Sequence, residues 1–193
     1  MADFAVLVSG NGSNFQAIAE KLADSGHNLR CMICDRKDAY AFERARKLGI
    51  KTYYVSYYKR DREEAEKDIC SILEAENIQL VVLAGFMRLL TPYLVDRFRN
   101  RIMNIHPALL PKHPGTHGIP DSYNSEDREL GITIHYVDYG MDTGPVIVQK
   151  SFERDFTESI EEIEEKIHKL EHIHYPETIK KVLDELDSQH QRG

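Results

Sequence analysis

A chain of 193 residues with a net charge of −7, 41% hydrophobic and 30% charged residues has the composition of one compact globular domain, able to bury roughly 70% of its unfolded surface. The acidic balance argues against nucleic-acid binding, which needs a basic face, and no run approaches the about 18 apolar residues that span a bilayer. With no signal-peptide pattern after Met1-Ala2-Asp3 and an odd number of cysteines (Cys31, Cys34, Cys70), the expected setting is the reducing cytoplasm.

Phe4 to Val8 is an apolar run ending in Ser9-Gly10-Asn11-Gly12-Ser13-Asn14, after which Phe15, Ile18, Ala19 and Leu22 recur at helical spacing. This reads as strand, glycine loop, helix. Leu29 to Cys34 reads as a second buried strand, about 38–48 as a helix ended by Gly49, and Thr52 to Val55 as a third, short strand. Cys31 and Cys34 have a C-x-x-C spacing, but they lie in an apolar strand and do not open a helix, so neither redox nor metal chemistry is expected of them. Tyr57-Tyr58-Lys59-Arg60-Asp61-Arg62 is expected to be a solvated loop. Asp61 to about Glu76 is an amphipathic helix feeding Leu80-Val81-Val82-Leu83-Ala84, a strand of the kind buried on both faces of a parallel sheet.

Gly85 to Leu90 leaves that strand, Thr91-Pro92 opens a short helix, and Arg101 to Ile105 is a fifth strand. Residues 107–126 carry four prolines and two glycines and are expected to form a long loop without an element of its own. Ile132 to Val137 and Val146 to Gln149 flank an Asp138–Gly144 turn, and a helix is expected from about Thr157 to Ser188, interrupted or kinked near Pro176. The sum is a doubly wound α/β fold, a mostly parallel sheet of about seven strands with helices on both faces, as one domain over 1–193.

Three constellations could carry chemistry. Glycines between a strand and a helix let backbone N–H groups approach a phosphate at the helix N-terminus, so Gly12, Ser13 and Asn14 are candidates; the same residues also suit a plain turn capped by Ser13 or Asn14. Asn104 and His106 stand two apart at the end of the fifth strand, where their side chains project to one side. An amide and an imidazole there can both donate to an oxygen that becomes negative, and a carboxylate such as Asp142 beside an imidazole favours its protonated form. The alternative is a strand end whose polar groups merely bond to backbone. Glu171 falls on the stripe Ile160, Ile163, Ile167, Leu170, His174, where a substrate hydroxyl or a rim salt bridge would satisfy it. His172 and His174 point to different helix faces, and His113 and His117 have no carboxylate or cysteine set beside them, so no metal site is expected.

With those residues in place, the chain resembles the folate-dependent phosphoribosylglycinamide formyltransferases of purine biosynthesis. The matching stretches are Val6 to Asn14, Val81 to Leu90, Asn104 to Lys112, Met141 to Ile147, and Glu171-His172 before Tyr175-Pro176. The resemblance implies that Asn104, His106 and Asp142 are catalytic and that Gly12, Ser13, Asn14 and Glu171 bind the glycinamide ribonucleotide. It implies folate contacts at Arg62, Met87, Arg88, Leu89, Leu90, Asp138, Tyr139, Gly140 and Met141. The implied co-substrate is 10-formyltetrahydrofolate, with no metal, and the implied assembly is a monomer or homodimer. Residues 1–100 would be the nucleotide-substrate half and 101–193 the folate and catalytic half.

The sequence departs from the family at three places. Gly118 to Ser125 replaces a stretch that usually has a second histidine and an Ala-Leu helix start; Cys34-Asp35 stands for a usual Ser-Asn; and the chain stops at Gly193 without the customary C-terminal strand pair. Related readings are a formyltetrahydrofolate hydrolase, which normally carries an extra N-terminal domain, a methionyl-tRNA formyltransferase, which needs an added domain and a basic surface, and a weakly active folate- or nucleotide-binding protein.

Overall fold

The computed structural model describes residues 1–190, and for His190 the backbone only. Residues 191–193, including the chain end at which the strand pair is called missing, lie outside the described residues. Seven strands form one sheet: β1 (Asp3–Val8), β2 (Asn28–Cys34), β3 (Thr52–Tyr54), β4 (Leu80–Leu83), β5 (Ile102–His106), β6 (Glu129–Tyr136) and β7 (Val146–Glu153). Their order is β3-β2-β1-β4-β5-β6-β7; the first five run parallel, and β6 and β7 are antiparallel additions. The helices are α1 (Ser13–Lys21), α2 (Ala41–Leu48), α3 (Arg62–Ala75), α4 (Pro92–Arg97), α5 (Gly118–Tyr123) and α6 (Ile160–His190).

Alternation along each strand sends successive side chains to opposite faces, and here both faces are covered. Phe4, Val6 and Val8 join a core built with Phe15 and Ile18 of α1, Ala41 and Ala45 of α2, and Ile163, Ile167, Tyr175 and Ile179 of α6. Ala5 and Leu7 join a second core with Ala65, Ile69 and Leu73 of α3 and Leu94 and Val95 of α4. Cys31 and Cys34 fall in different cores for the same reason, and all three cysteines are free and buried. Among the described residues no helix is long and apolar enough to cross a membrane.

Chain order reverses at β1, which has β2 on one side and β4 on the other. At such a switch point the loops leaving neighbouring strands diverge to opposite faces and open a crevice at the carboxyl edge. Ser9 ties its two sides: its N–H donates to Gly85 O at 3.1 Å, and its Oγ accepts the Met87 N–H at 2.8 Å. The buried Tyr175 hydroxyl reaches the strand carbonyls of Leu83 at 2.8 Å and Met103 at 3.2 Å, fastening α6 to the ends of β4 and β5.

Three expectations are corrected. The 107–126 segment contains a helix, α5: Pro120 sits in its first turn, where no N–H is needed, Ile119 and Tyr123 pack on the first core, and Arg154 caps the carbonyls of Ser122 and Tyr123. Helix α6 is not interrupted at Pro176, because buried residues before it (Ile163, Ile167) and after it (Ile179, Leu183) anchor both flanking stretches. Tyr57 is not solvated. Its ring is buried edge-on to Phe86 at 6.2 Å under the Arg88 guanidinium.

Candidate active site

The end of β5 places Asn104 and His106 on one side of the strand, and β6 runs antiparallel beside it with Asn104 opposite His135. His106 is 3% exposed and His135 2%, so each ring nitrogen must be satisfied by protein or reacting groups. His135 Nδ1–H donates to the Tyr136 carbonyl at 2.9 Å. A carbonyl only accepts, so the neutral ring carries its proton on Nδ1 and presents a lone pair at Nε2. That lone pair accepts an Nδ2–H of Asn104 at 3.3 Å, which turns the Asn104 amide and leaves its second N–H for another acceptor. Burial pushes the His135 pKa down, which keeps the ring in this accepting form.

His106 obeys the same logic with the nitrogens exchanged. Its Nε2–H donates to the His113 carbonyl at 2.7 Å, so Nδ1 carries the lone pair of the neutral ring. Asp142 Oδ2 lies 3.5 Å from Nδ1, near enough to act electrostatically and too far for a good direct hydrogen bond. Asp142 itself holds a left-handed φ of 56° and accepts the Gly115 N–H at 2.8 Å. The turn that presents it is organised by Asp138, whose Oδ1 accepts from the Gly140 N–H at 3.0 Å and the Thr143 hydroxyl at 2.6 Å.

The glycine loop follows β1, at the same carboxyl edge of the sheet. Gly12 has φ +78°, and a Cβ there would lie 2.8 Å from the Ala41 Cβ, so only glycine fits. No side chain caps α1: neither Ser13 nor Asn14 does so, and the first-turn N–H groups have no side-chain acceptor. Asn14 instead donates to Glu171 Oε2 at 3.1 Å, and His168 Nδ1 meets the same oxygen at 2.8 Å. That contact raises the His168 pKa. Arg44 holds the loop from α2, donating to Asn11 O at 2.8 Å and Asn11 Oδ1 at 2.5 Å.

A residue model for the formyl transferase family matches residues 2–179. The chain belongs to the formyl transferase family. It is similar to phosphoribosylglycinamide formyltransferase of Bacillus subtilis, 40% identical over 186 residues and 95% of each chain. The Escherichia coli enzyme of the same name is 37% identical over 174 residues, 89% of this chain and 82% of that one. The crystal structure of phosphoribosylglycinamide formyltransferase from Streptococcus pneumoniae superposes with a TM-score of 0.87 at 41% identity, covering 94% of this chain and 99% of that one.

Within this formyl transferase the site residues expected from sequence fall into three groups. Asn104, His106 and Asp142 converge, and Gly12, Ser13, Asn14 and Glu171 meet at the α1–α6 junction. Of the third group, Met87, Leu89, Tyr139 and Met141 are exposed large apolar side chains on loops leaving β4 and β6. Arg62 bridges to them, donating to Leu89 O at 3.3 Å. The side chain of Leu90 is buried in the second core, which leaves its backbone for any ligand. Tyr139 donates to Asp96 at 2.5 Å. Arg88 is bound to Asp35, Nε to Oδ2 at 2.5 Å, so the Asp that departs from the usual Asn engages a residue of the expected folate set.

Sequence reasoning missed His135, which only the β5–β6 register brings to Asn104. It also set His113 aside for want of a carboxylate; Asp127, fourteen residues on, lies 2.9 Å from His113 Nε2. His172 stacks on His168 with ring centroids 6.3 Å apart, consistent with a helix face turned to α1 and not with joint ligation alongside His174, which pairs with Glu177 at 3.1 Å.

Proposed function

We propose that this formyl transferase moves the formyl group of 10-formyltetrahydrofolate to the free glycyl amine of 5'-phosphoribosylglycinamide, giving the formylated ribonucleotide and tetrahydrofolate. The observation that carries the reading is the set of buried His106 and His135 with half-buried Asn104 and Asp142 at the carboxyl end of β5, on the same sheet edge as the uncapped glycine-loop helix that follows β1. The phosphate would sit on the N–H groups of Gly12, Ser13 and Asn14, and Glu171 would accept from the ribose hydroxyls. The exposed Met87, Leu89, Tyr139 and Met141 with Arg62 suit a flat heteroaromatic body with an anionic tail, which is the chemistry of a folate.

The amine attacks the formyl carbon, and the carbonyl oxygen becomes an alkoxide. The free Nδ2–H of Asn104 and the Nδ1–H of protonated His106 donate to that oxygen. The Asp142 carboxylate meets the positive charge at Nδ1 and takes up, directly or through water, the proton lost by the attacking nitrogen. Collapse of the tetrahedral adduct breaks the bond to N10 of the folate, which leaves as the amine after receiving a proton. No covalent enzyme adduct is required. Each substrate draws on both halves of the chain: Glu171 joins the glycine loop, and the Met87–Leu90 stretch joins the Asp138–Asp142 turn.

The test supplies 10-formyltetrahydrofolate with and without phosphoribosylglycinamide and follows tetrahydrofolate. Release that depends on the amine, with one formylated product per folate, is expected. Equal release without the amine would identify a hydrolase instead, and binding without turnover would reduce the protein to a binding module.

A further inference from the structure

We propose that His113 is a positioning residue for formyl transfer: anchored on Asp127, it holds its own backbone carbonyl against His106 Nε2–H and so makes Nδ1 the working nitrogen. The inference rests on the catalytic reading above, in which neither His113 nor Asp127, the residues flanking the departing Gly118–Ser125 stretch, touches a reacting atom.

The first observation is the backbone. His113 has φ 52°, a left-handed conformation uncommon outside glycine, though less so for Asn, Asp and His, and one that persists where surrounding contacts over-determine it. The contact here is the side chain: His113 Nε2 lies 2.9 Å from Asp127 Oδ2, while Lys112 Nζ holds the other oxygen at 2.6 Å. Asp127 is itself held in place, its N–H donating to Ser125 Oγ at the end of α5. Its pKa is drawn down to about 2, first by Lys112 and then by His113, so the anchor remains an anion wherever the enzyme works.

The second observation is what this segment does on either side of Pro114. The His113 carbonyl takes the Nε2–H of His106, and the Gly115 N–H takes Asp142 Oδ2 at 2.8 Å. One short stretch therefore sets the tautomer of the imidazole and the orientation of the carboxylate. Behind it, a Cβ on Gly118 would stand 3.0 Å from His106 Nε2, so α5 walls that side of the ring and leaves the Nδ1 side as the open one. A free imidazole exchanges its neutral proton between both nitrogens; a fixed carbonyl acceptor at Nε2 removes that choice.

The experiment uses 15N-histidine-labelled full-length protein and reads the His106 ring-nitrogen shifts without substrate, alongside steady-state kinetics. The intact protein should show neutral His106 protonated at Nε2. In Asp127→Ala, His106 should become a tautomer mixture and kcat should fall about tenfold, a decade below what a general acid–base group itself supplies, with KM for the ribonucleotide unchanged. Asp127→Asn, whose amide oxygen still accepts from His113, should restore both readouts. His113→Gly, which keeps the left-handed backbone but has no anchor, should behave as Asp127→Ala. An unchanged tautomer and rate in Asp127→Ala or His113→Gly would overturn the proposal, as would Asp127→Asn impaired as much as Asp127→Ala. Because the tautomer is read without turnover, absence of formyl transfer by the intact protein would count against the assigned reaction and not against the anchor.

Discussion

The end of β5, proposed above as the catalytic end, and the α1–α6 junction, proposed as the nucleotide end, solve burial in opposite ways. Around His106 the side-chain polar atoms that are buried are matched within the protein: His135 to Tyr136 and Asn104, His106 to His113, Asp142 to Gly115. At the α1–α6 junction Asn14 Oδ1 and His172 Nε2 are buried with no hydrogen-bond partner among the described residues. A pre-satisfied network holds fixed geometry and favours a charge that appears only in the transition state. Unmatched buried groups are costly to the protein and are relieved by a ligand that brings its own donors and acceptors. That contrast fits the proposed division between chemistry at one end and binding at the other.

The sharpest way to break that contrast is kinetic. On the proposed mechanism His106→Ala removes the acid and an oxyanion donor, so kcat should fall by about 10²–10⁴ with little change in ribonucleotide KM. Steady-state rates at saturating folate check it, and near-normal turnover would remove His106 from its role. Glu171→Gln acts at the other end. Loss of one charge-assisted hydrogen bond to the ribose, worth about 1.5 kcal/mol, should raise ribonucleotide KM on the order of tenfold while kcat stays within about threefold. A fall in kcat with KM unchanged would mean that the two ends are not separable.

The smallest expected effect is in the pH dependence of stability, where the two ends should pull in opposite directions. Burial depresses the His135 pKa, so between about 6.5 and its lower folded value the unfolded chain takes the proton first. The His135 contribution is thus present above about 6.5 and lost as pH falls through that window. The Glu171 contact raises the His168 pKa, so its contribution is present below about 6.5 and lost as pH rises through the raised value. Melting curves across about pH 5–9 should show His135→Gln flattening the acid side and His168→Gln flattening the alkaline side. Identical profiles for both variants would contradict the assignment.

Much of the fold was legible because hydrophobic period is a local property. The runs at 4–8, 29–34 and 80–84 carry enough buried apolar residues to mark sheet-core strands without reference to anything distant. The errors came where long-range packing outweighed local rules: α5 forms in a proline- and glycine-rich stretch because Ile119 and Tyr123 find the core, and α6 runs through Pro176 because both of its flanks are anchored. Of the proposed site, the residues that sit in short motifs stand out in the sequence, Asn104 with His106 and Gly12 with Ser13 and Asn14. His135 was not, since nothing in Ile132 to Val137 distinguishes it until the antiparallel register sets it opposite Asn104.

By itself, then, the amino-acid order determined the strands and the polar motifs at their ends, among them the residues proposed for formyl transfer. Only the tertiary structure decided how those residues are wired. The proton positions on His106 and His135, the turn of the Asn104 amide and the anchoring of His113 on Asp127 depend on contacts between segments separated by up to tens of residues. Hydrogen-bond direction is a property of the pair, and no single position in the chain contains it.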